Sequence, residues 1–365
     1  MIKRFINQME PSFDSAEVRA LTDYFKQGGW GGEYIFTEAL EKKLAGFTGA
    51  KYCSMTSNGT VSLIIALIAL GLKTGDEILI PDMTMIASPN AAAILGIKPI
   101  LVDVEEQSLC LDLIKAEPQL TKKTKALMYV PFNGRSGNMK QVVDFCRRHR
   151  LWLIEDSAQA LGSYWQGKHL GTFGDIGSFS FSVPKIITTG QGGALITNNR
   201  RLYQKIEKIK DFGRIRGGVD VHNDWGWNFK FSDFLAVIGI EQMKKLPARI
   251  KRKRQIYRRY YSNLKSVKQI LFVPTDLNQT TPWFIDIYVN SPGKLSQYLF
   301  SKGIGSRPIY PAIHTQKIYR SEYQNIKFPV ATRAGRQGLW LPSSITLTDA
   351  QIDRVTNTIK RYYRQ

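Results

Sequence analysis

Apolar runs with strand character alternate with helical patterns between about residues 50 and 200. The strand-like runs are EILIP at 77, ILVDV at 100, ALMYVP at 126, LWLIED at 151, FSFS at 179 and ALITN at 194. Residues 61–72 are continuously apolar and residues 139–149 are amphipathic, which is typical of helices that connect strands. The alternation predicts an α/β fold in which helices cover a large, mostly parallel mixed sheet.

The pattern changes after residue 228. Pro247 separates a predicted helix over 235–246 from a basic helix, and WFIDIYV at 283–289 predicts a strand that is followed by two more helices. This second part is typical of a smaller α+β unit. We therefore predict two domains, a large one over 1–240 and a small C-terminal one over 241–365, as the length of 365 residues also suggests.

The chain is strongly basic, with a net charge of +21. Such a charge attracts nucleic acid, an anionic membrane surface or phosphorylated metabolites. The densest basic run, at 248–261, spaces its apolar residues as one face of an amphipathic helix would, and these residues are Tyr257, Tyr260, Tyr261 and Leu264. Its charges are therefore predicted to form mostly a solvated face, and no helix-turn-helix or zinc-finger pattern favours nucleic acid as a partner.

The cysteines and the apolar segments bear on the compartment. Cys53, Cys110 and Cys146 lie far apart without CxxC spacing, so neither disulfides nor a metal site is predicted. The N-terminus lacks the apolar segment of a signal peptide, and the apolar stretch at 61–72 is too short to cross a bilayer. We expect a cytoplasmic protein without membrane insertion.

Three polar residues follow predicted strands with the spacing that a pyridoxal 5'-phosphate (PLP) site requires. Asp156 ends a strand at the sheet edge where open α/β folds bind ligands, and its carboxylate would keep the pyridine nitrogen protonated. Ser180 offers a hydroxyl to the phosphate. The amine of Lys185 would form a Schiff base with the aldehyde and later move a proton. A single lysine after a strand is usually exposed, so the set of three carries this hypothesis.

Residues Ser57-Asn58-Gly59-Thr60 stand immediately before the apolar helix. The amides and the dipole at a helix N-terminus favour a phosphate dianion, Gly59 allows close approach of the backbone, and Thr60 adds a hydroxyl. Ordinary capping of the helix requires the same residue types, so the motif alone leaves both interpretations open.

Ordered motifs over nearly the whole chain resemble the DegT/DnrJ/EryC1/StrS family of PLP-dependent sugar aminotransferases. The matching segments lie at 56–92, 154–163 (IEDSAQALGS), 171–198 (GTFGDIGSFSFSVPKIITTGQGGALITN), 226–243 (GWNFKFSDFLAVIGIEQM) and 307–319 (RPIYPAIHTQKIY). The resemblance implies the aspartate aminotransferase fold, PLP fold type I. It also implies a homodimer with its active sites at the interface.

The resemblance assigns roles to individual residues. Lys185 is implied to be the Schiff-base lysine, Asp156 to face the pyridinium nitrogen and Gln159 to lie near the ring hydroxyl. The residues implied to bind the phosphate are Ser180, Gly59, Thr60 and, from the neighbouring subunit, Asn228. Asn58, in the motif before the apolar helix, is a further candidate for cofactor binding.

Some positions depart from the family pattern or concern the substrate. Met85 stands where an aromatic residue usually stacks on the cofactor ring, and a thioether packs on rings more loosely. Lys230 replaces the arginine common in the GYNYR-like motif. We take Lys230, Arg307 and His314 as candidate substrate contacts.

The segments VPFNGRSGNM and RPIYPAIHTQKIY most resemble perosamine synthases and related sugar 4-aminotransferases. The implied reaction passes the amine of L-glutamate, through pyridoxamine 5'-phosphate, to a 4-keto-6-deoxy sugar nucleotide. Its product would serve the synthesis of a surface polysaccharide such as the O-antigen of lipopolysaccharide.

Alternatives are amination of a 3-keto sugar, or a noncatalytic regulator that binds PLP or DNA. A sugar 3-dehydratase is disfavoured because that branch has histidine in place of lysine. A dinucleotide oxidoreductase is disfavoured because the glycine-rich segment at 190–193 precedes a strand rather than a helix.

Overall fold

A seven-stranded mixed sheet forms the centre of the computed structural model, which describes residues 5–364. The strands in chain order are β1 (Tyr52–Thr56), β2 (Glu77–Pro81), β3 (Lys98–Val102), β4 (Thr124–Tyr129), β5 (Trp152–Asp156), β6 (Tyr164–Trp165), β7 (Lys168–His169), β8 (Ile176–Ser180), β9 (Gly193–Thr197), β10 (Ile285–Tyr288), β11 (Arg307–Pro308) and β12 (Gly338–Leu341). The large sheet has the order β1-β9-β8-β5-β4-β2-β3, and β6 pairs with β7 in a separate hairpin.

The pairing confirms the predicted mostly parallel mixed sheet. Strands β2, β3, β4, β5 and β8 are joined in parallel, whereas β9 runs antiparallel to both β8 and β1. Each of the six strand-like runs in the sequence forms a strand. The edge strand β1 was not predicted, because its sequence YCSMT is only weakly apolar.

Helices cover both faces of this sheet. The helices are α1 (Ser15–Lys26), α2 (Ile35–Thr48), α3 (Gly59–Ala69), α4 (Ala87–Ala93), α5 (Leu113–Ala116), α6 (Met139–His149), α7 (Arg200–Lys210), α8 (Asp233–Leu264), α9 (Pro292–Ser301), α10 (Lys317–Tyr323), α11 (Pro329–Gln337) and α12 (Asp349–Tyr362). The buried residues of α3 pack with those of α4 and α7 in one core cluster, and the buried face of α6 packs in another. Both helices predicted between strands are therefore confirmed.

Helix α8 corrects the prediction of two separate helices around Pro247. The helix runs without interruption from Asp233 to Leu264, with Pro247 inside it. Proline removes one backbone hydrogen bond and usually ends a helix. Here the buried residues Leu246 and Arg249 on either side of it hold the helix to the body of the protein, so packing outweighs the local preference.

The basic part of α8 follows the prediction in most positions. Tyr257, Tyr260 and Leu264 are buried as expected, but Tyr261 is 46% exposed and stacks on Tyr257. Two cations of this part of α8 pair with acidic residues of α12, through the contacts Arg252–Asp349, Arg259–Asp349 and Arg259–Asp353. Lys253 contradicts the predicted solvated face, because it is 1% exposed and donates to the carbonyls of Trp283 and Ser343.

The C-terminal part contains a three-stranded sheet of order β10-β12-β11. One core cluster joins Met83 and Phe132, beside the large sheet, to Trp283 and Trp340 of this part. The division into domains at 240 stays a prediction. Among residues 5–364, the structure contains no helix that combines the length and the apolar character needed to cross a membrane.

Candidate active site

The side chain of Lys185 lies under the indole of Trp283. A loop between β8 and β9 carries the lysine, and the indole N–H donates to the carbonyl of Pro184 at 2.7 Å. The amine nitrogen is 4.1 Å from the centre of the indole ring. Burial lowers the pKa of Lys185 to about 8; the charge of Asp156 opposes this shift and that of Arg307 adds to it. The amine is therefore far easier to deprotonate than an ordinary lysine.

Asp156 ends β5 at the carboxyl edge of the sheet and is buried. One carboxylate oxygen accepts a hydrogen bond of 2.7 Å from the hydroxyl of Ser88 in α4. Burial raises the pKa of Asp156, while the Ser88 hydrogen bond and the charge of Lys185 act in the opposite direction. A buried carboxylate whose pKa stays raised despite these contacts is suited to pair with a cationic group of a ligand.

The neighbouring acid, Glu155, has a structural role. Its carboxylate accepts hydrogen bonds from the backbone N–H groups of Gly171, Phe173 and Gly174, at 2.7, 2.6 and 2.7 Å. Successive side chains of a strand point to opposite faces of the sheet, so the carboxylates of the two adjacent acids lie in different surroundings. Asp156 is therefore the one available to a ligand.

The start of α3 packs against the end of β8. A β-carbon placed on Gly59 would lie 2.9 Å from the β-carbon of Ser180, so only glycine allows this approach. The side chain of Asn58 accepts from the N–H of Val61 at 3.0 Å and caps the helix, whereas Thr60 is exposed in its first turn. The amides of the helix N-terminus and the hydroxyl of Ser180 thus lie at one place, as a phosphate would require.

Replacing Gly59 with alanine is expected to weaken PLP binding about tenfold or more, because an added β-carbon against Ser180 costs ~1–3 kcal/mol of overpacking. Titration of the apoprotein with PLP measures this change. Gly46→Ala is the matched control: it lies in α2 with nothing within 4 Å of the added carbon, and it should leave PLP affinity unchanged. Equal affinities of the Gly59 variant and the parent would contradict a phosphate cradle at this helix.

Gln159 lies next to the lysine. Gln159, Ser180, Lys185 and Trp283 line one small cavity. The side-chain oxygen of Gln159 accepts a hydrogen bond of 2.7 Å from the backbone N–H of Asn133. Met85 precedes α4 and is 45% exposed, and its carbonyl accepts from the N–H of Ser88. It is therefore connected to Asp156 through Ser88.

The substrate candidates Arg307 and His314 occupy different surroundings. The guanidinium of Arg307 lies 4.8 Å from the centre of the Trp340 ring and close enough to Lys185 to lower its pKa. His314 is held by Asp82, which directly follows β2, through its backbone N–H at 2.7 Å and its ring Nδ1 at 2.5 Å. Burial raises the pKa of Asp82, and the contact with His314 opposes that shift.

A single chain does not place Asn228 and Lys230 in the Lys185 cavity. Asn228 is exposed and forms a bridge with Asp211. Lys230 pairs with Asp211 at 2.7 Å and lines a wide groove between α2, α7 and the 211–230 loop. For Asn228, an exposed position agrees with the implied role in a neighbouring subunit, which stays a prediction.

These residues match the chemical groups of PLP. An amine that deprotonates easily suits an aldehyde, a buried carboxylate suits a pyridinium nitrogen, and a helix N-terminus that only glycine can bring against Ser180 suits a phosphate. The sequence did not reveal Ser88, Trp283 or Asn133. Each of them reaches the site through a contact between residues far apart in the chain, and no local motif marks them.

Comparison with known proteins agrees with this geometry. The model of the DegT/DnrJ/EryC1/StrS aminotransferase family matches residues 11–360. GDP-perosamine synthase of Escherichia coli O157:H7 is 33% identical over 99% of this chain and 99% of that protein. GDP-perosamine synthase of Vibrio cholerae is 32% identical over 97% and 98%.

The crystal structure of the aminotransferase TlmJ from Streptoalloteichus hindustanus superimposes with a TM-score of 0.92, at 27% identity and with 98% of each chain covered. The predicted fold of PLP-dependent sugar aminotransferases is therefore confirmed. The chain belongs to the DegT/DnrJ/EryC1/StrS aminotransferase family and is a PLP-dependent sugar aminotransferase.

Proposed function

We propose that this enzyme transfers the amino group of L-glutamate to C4 of a nucleotide-linked 4-keto-6-deoxy sugar. The product would be a 4-amino-4,6-dideoxy sugar nucleotide of the perosamine type. The observation that carries amino transfer is the amine of Lys185, whose pKa is lowered to about 8 beside the buried Asp156. The choice of sugar is supported by the similarity to two GDP-perosamine synthases over almost the whole chain.

Each part of the site would have its own role, and the parts are Lys185, Asp156 and the start of α3. When bound, PLP supplies an aldehyde that accepts the amino group and a ring that stores the electrons released at the Cα carbon. Asp156 would hold a proton on the ring nitrogen by charge pairing. Lys185 would anchor the aldehyde, and after its release its neutral Nζ would take the proton from Cα of the amino donor.

Arg307 is our leading candidate for recognition of an anionic group. Arg307 is an exposed residue, and its charge acts on Lys185 by lowering the pKa of that amine. Arginine binds carboxylates and phosphates with paired hydrogen bonds, so it suits the carboxylate of glutamate or the diphosphate of the sugar nucleotide. The net charge of +21 would raise the encounter rate of such anionic substrates. We keep His314 and Lys230 as further candidates for substrate contacts.

We further propose a homodimer in which Asn228 completes the phosphate site of the neighbouring subunit. Large apolar side chains near this residue are exposed in the single chain, namely Trp225, Trp227, Trp30 and Tyr34. Exposed aromatic residues of this kind often mark protein interfaces. A cytoplasmic location is supported by three unpaired, buried cysteines, and the product would serve a surface polysaccharide such as an O-antigen.

The decisive experiment is an amination assay with L-glutamate across GDP-, UDP- and dTDP-linked 4-keto-6-deoxy sugars. We expect 2-oxoglutarate and an amino sugar in equal amounts, with the GDP-linked substrate preferred. NMR of the product should find the amine at C4. A 3-keto-6-deoxy sugar nucleotide is offered in parallel, and turnover of that substrate alone would replace the proposed reaction by the 3-keto alternative. A protein that binds PLP but turns over none of the 4-keto sugars would rule out the proposed substrate class.

A further inference from the structure

A buried polar cluster joins the loop after β4 to the strand β10. We call it the Asn133 clasp, and it consists of Asn133, Arg135 and Asp286. All three residues are buried, and the backbone of Asn133 is left-handed, with φ 56° and ψ 26°. A side chain other than glycine is uncommon in this conformation, so surrounding contacts must maintain it.

The side chain of Asn133 provides those contacts. Its amide nitrogen donates to the carbonyl of Phe284 at 2.8 Å and to the carboxylate of Asp286 at 2.9 Å. Its amide oxygen accepts from the N–H of Phe284 at 2.7 Å. The side chain of Asn133 therefore pairs with both backbone polar groups of Phe284, as a neighbouring strand would.

Arg135 fixes the carboxylate that Asn133 uses. Its two terminal nitrogens donate to the two oxygens of Asp286 at 3.1 and 2.7 Å, and its Nε donates to the carbonyl of Ser108 at 3.3 Å. A two-point ion pair of this kind defines both the position and the orientation of the carboxylate. The geometry of Asn133 is thus determined on both sides.

The backbone of Asn133 forms hydrogen bonds with two residues that line the cavity. Its N–H donates to the side-chain oxygen of Gln159 at 2.7 Å, and its carbonyl accepts from the N–H of Trp283 at 3.4 Å. Gln159 and Trp283 line the same cavity as Lys185. Because the amide oxygen of Gln159 is occupied, its NH2 group is the end that it can offer to a ligand.

We propose that Asn133, held by the Arg135–Asp286 pair, is a positioning residue that orients Gln159 as a hydrogen-bond donor to the ring oxygen of the cofactor. The inference rests on the proposed function, since it concerns the same PLP site. A donor at this oxygen stabilises its anionic form. Loss of the clasp would leave the glutamine amide free to rotate and to offer either end.

The test uses Asn133→Gly, because glycine adopts the left-handed backbone and keeps the N–H while the side-chain bonds are lost. PLP affinity is measured by titration of the apoprotein, and the pH midpoint of the visible absorption band is measured on the holoenzyme. We expect about tenfold weaker binding and a higher pH midpoint, because the donor no longer favours the anionic oxygen. Asp286→Asn keeps the shape of the pair and is a second route to the same result.

A double-mutant cycle separates positioning from mere stability. In a Gln159→Ala background, Asn133→Gly should change neither the affinity nor the midpoint further, because the group through which it acts is gone. Arg259→Gln breaks two arginine–aspartate pairs away from the site and should leave both quantities at the parent values. An effect of Asn133→Gly that persists in the Gln159→Ala background, or no effect in either, would overturn the inference. If the parent protein binds no PLP, the proposed site itself fails.

Discussion

We expect turnover to fall by at least about a thousandfold when Lys185 is replaced by arginine, because a positioned general base and the anchoring amine are both lost. Arginine keeps the positive charge beside Asp156 but stays protonated, so it can neither bind an aldehyde covalently nor accept a proton from Cα. The measurement is glutamate-dependent amination by the purified variant, with thermal unfolding as a check on folding. Turnover within tenfold of the parent would remove Lys185 from the mechanism.

The reactivity of Lys185 should also show in its pH dependence. With a pKa of about 8, half of the amine is neutral at pH 8, whereas only about 0.3% of a lysine with a pKa near 10.5 would be. The rate at which the apoprotein captures PLP covalently should therefore rise with pH and level off above about pH 9.

Lys253 provides a stringent comparison, since burial lowers its pKa to about 7. Its amine is held by two backbone carbonyls at 2.6 Å. After borohydride reduction of the holoenzyme, peptide mapping should therefore find the cofactor on Lys185 and not on Lys253. A label on Lys253 would show that the reactive amine was assigned to the wrong lysine.

Periodicity and motifs predicted the sheet, the connecting helices and the region of the proposed site, because these depend on patterns that are local in the chain. The strand-like run at 151 places Asp156 at the sheet edge, and the glycine-rich loop before β9 places Lys185 near it. Local patterns also led to wrong predictions at positions where tertiary packing outweighs the local preference. Pro247 was predicted to separate two helices, yet it lies inside α8 because the neighbouring turns are buried.

The side chains that complete the site could not be read from the sequence. Ser88 reaches Asp156 across 68 positions, and Trp283 contacts the loop of Lys185 across 99. Asn133 contacts Asp286 across 153 positions. The contacts of Trp283 and Asp286 form only when the C-terminal part packs against the large sheet, and that of Ser88 forms only when α4 comes against the end of β5. A single sequence contains no periodic signal for either kind of contact. Lys253 was placed on a solvated face for the same reason.

Replacing Asp156 with asparagine should lower turnover by a factor of about 10²–10⁴, because a buried cation that loses its partner costs ~3–5 kcal/mol. Asparagine keeps the size and still accepts the hydrogen bond from Ser88, so the change removes mainly the negative charge. PLP affinity and the amination rate are the measurements. Glu155→Gln is the matched control on the adjacent position, and it should reduce stability by ~1–3 kcal/mol through the backbone groups of residues 171–174 while PLP affinity stays near the parent value.

The same substitution lowers turnover but should not lower the stability of the protein without cofactor. Burial raises the pKa of Asp156, so at neutral pH the folded state must hold a carboxylate charge that the unfolded chain holds more easily. Above about pH 8, where Lys185 is also largely neutral, removing that charge should leave the apoprotein at least as stable as the parent, with an equal or higher melting temperature, although turnover has fallen. A large fall in the melting temperature of the apoprotein would mean that Asp156 stabilises the fold and is not reserved for a cationic ring, since a residue kept for a ligand is expected to cost stability until the ligand binds.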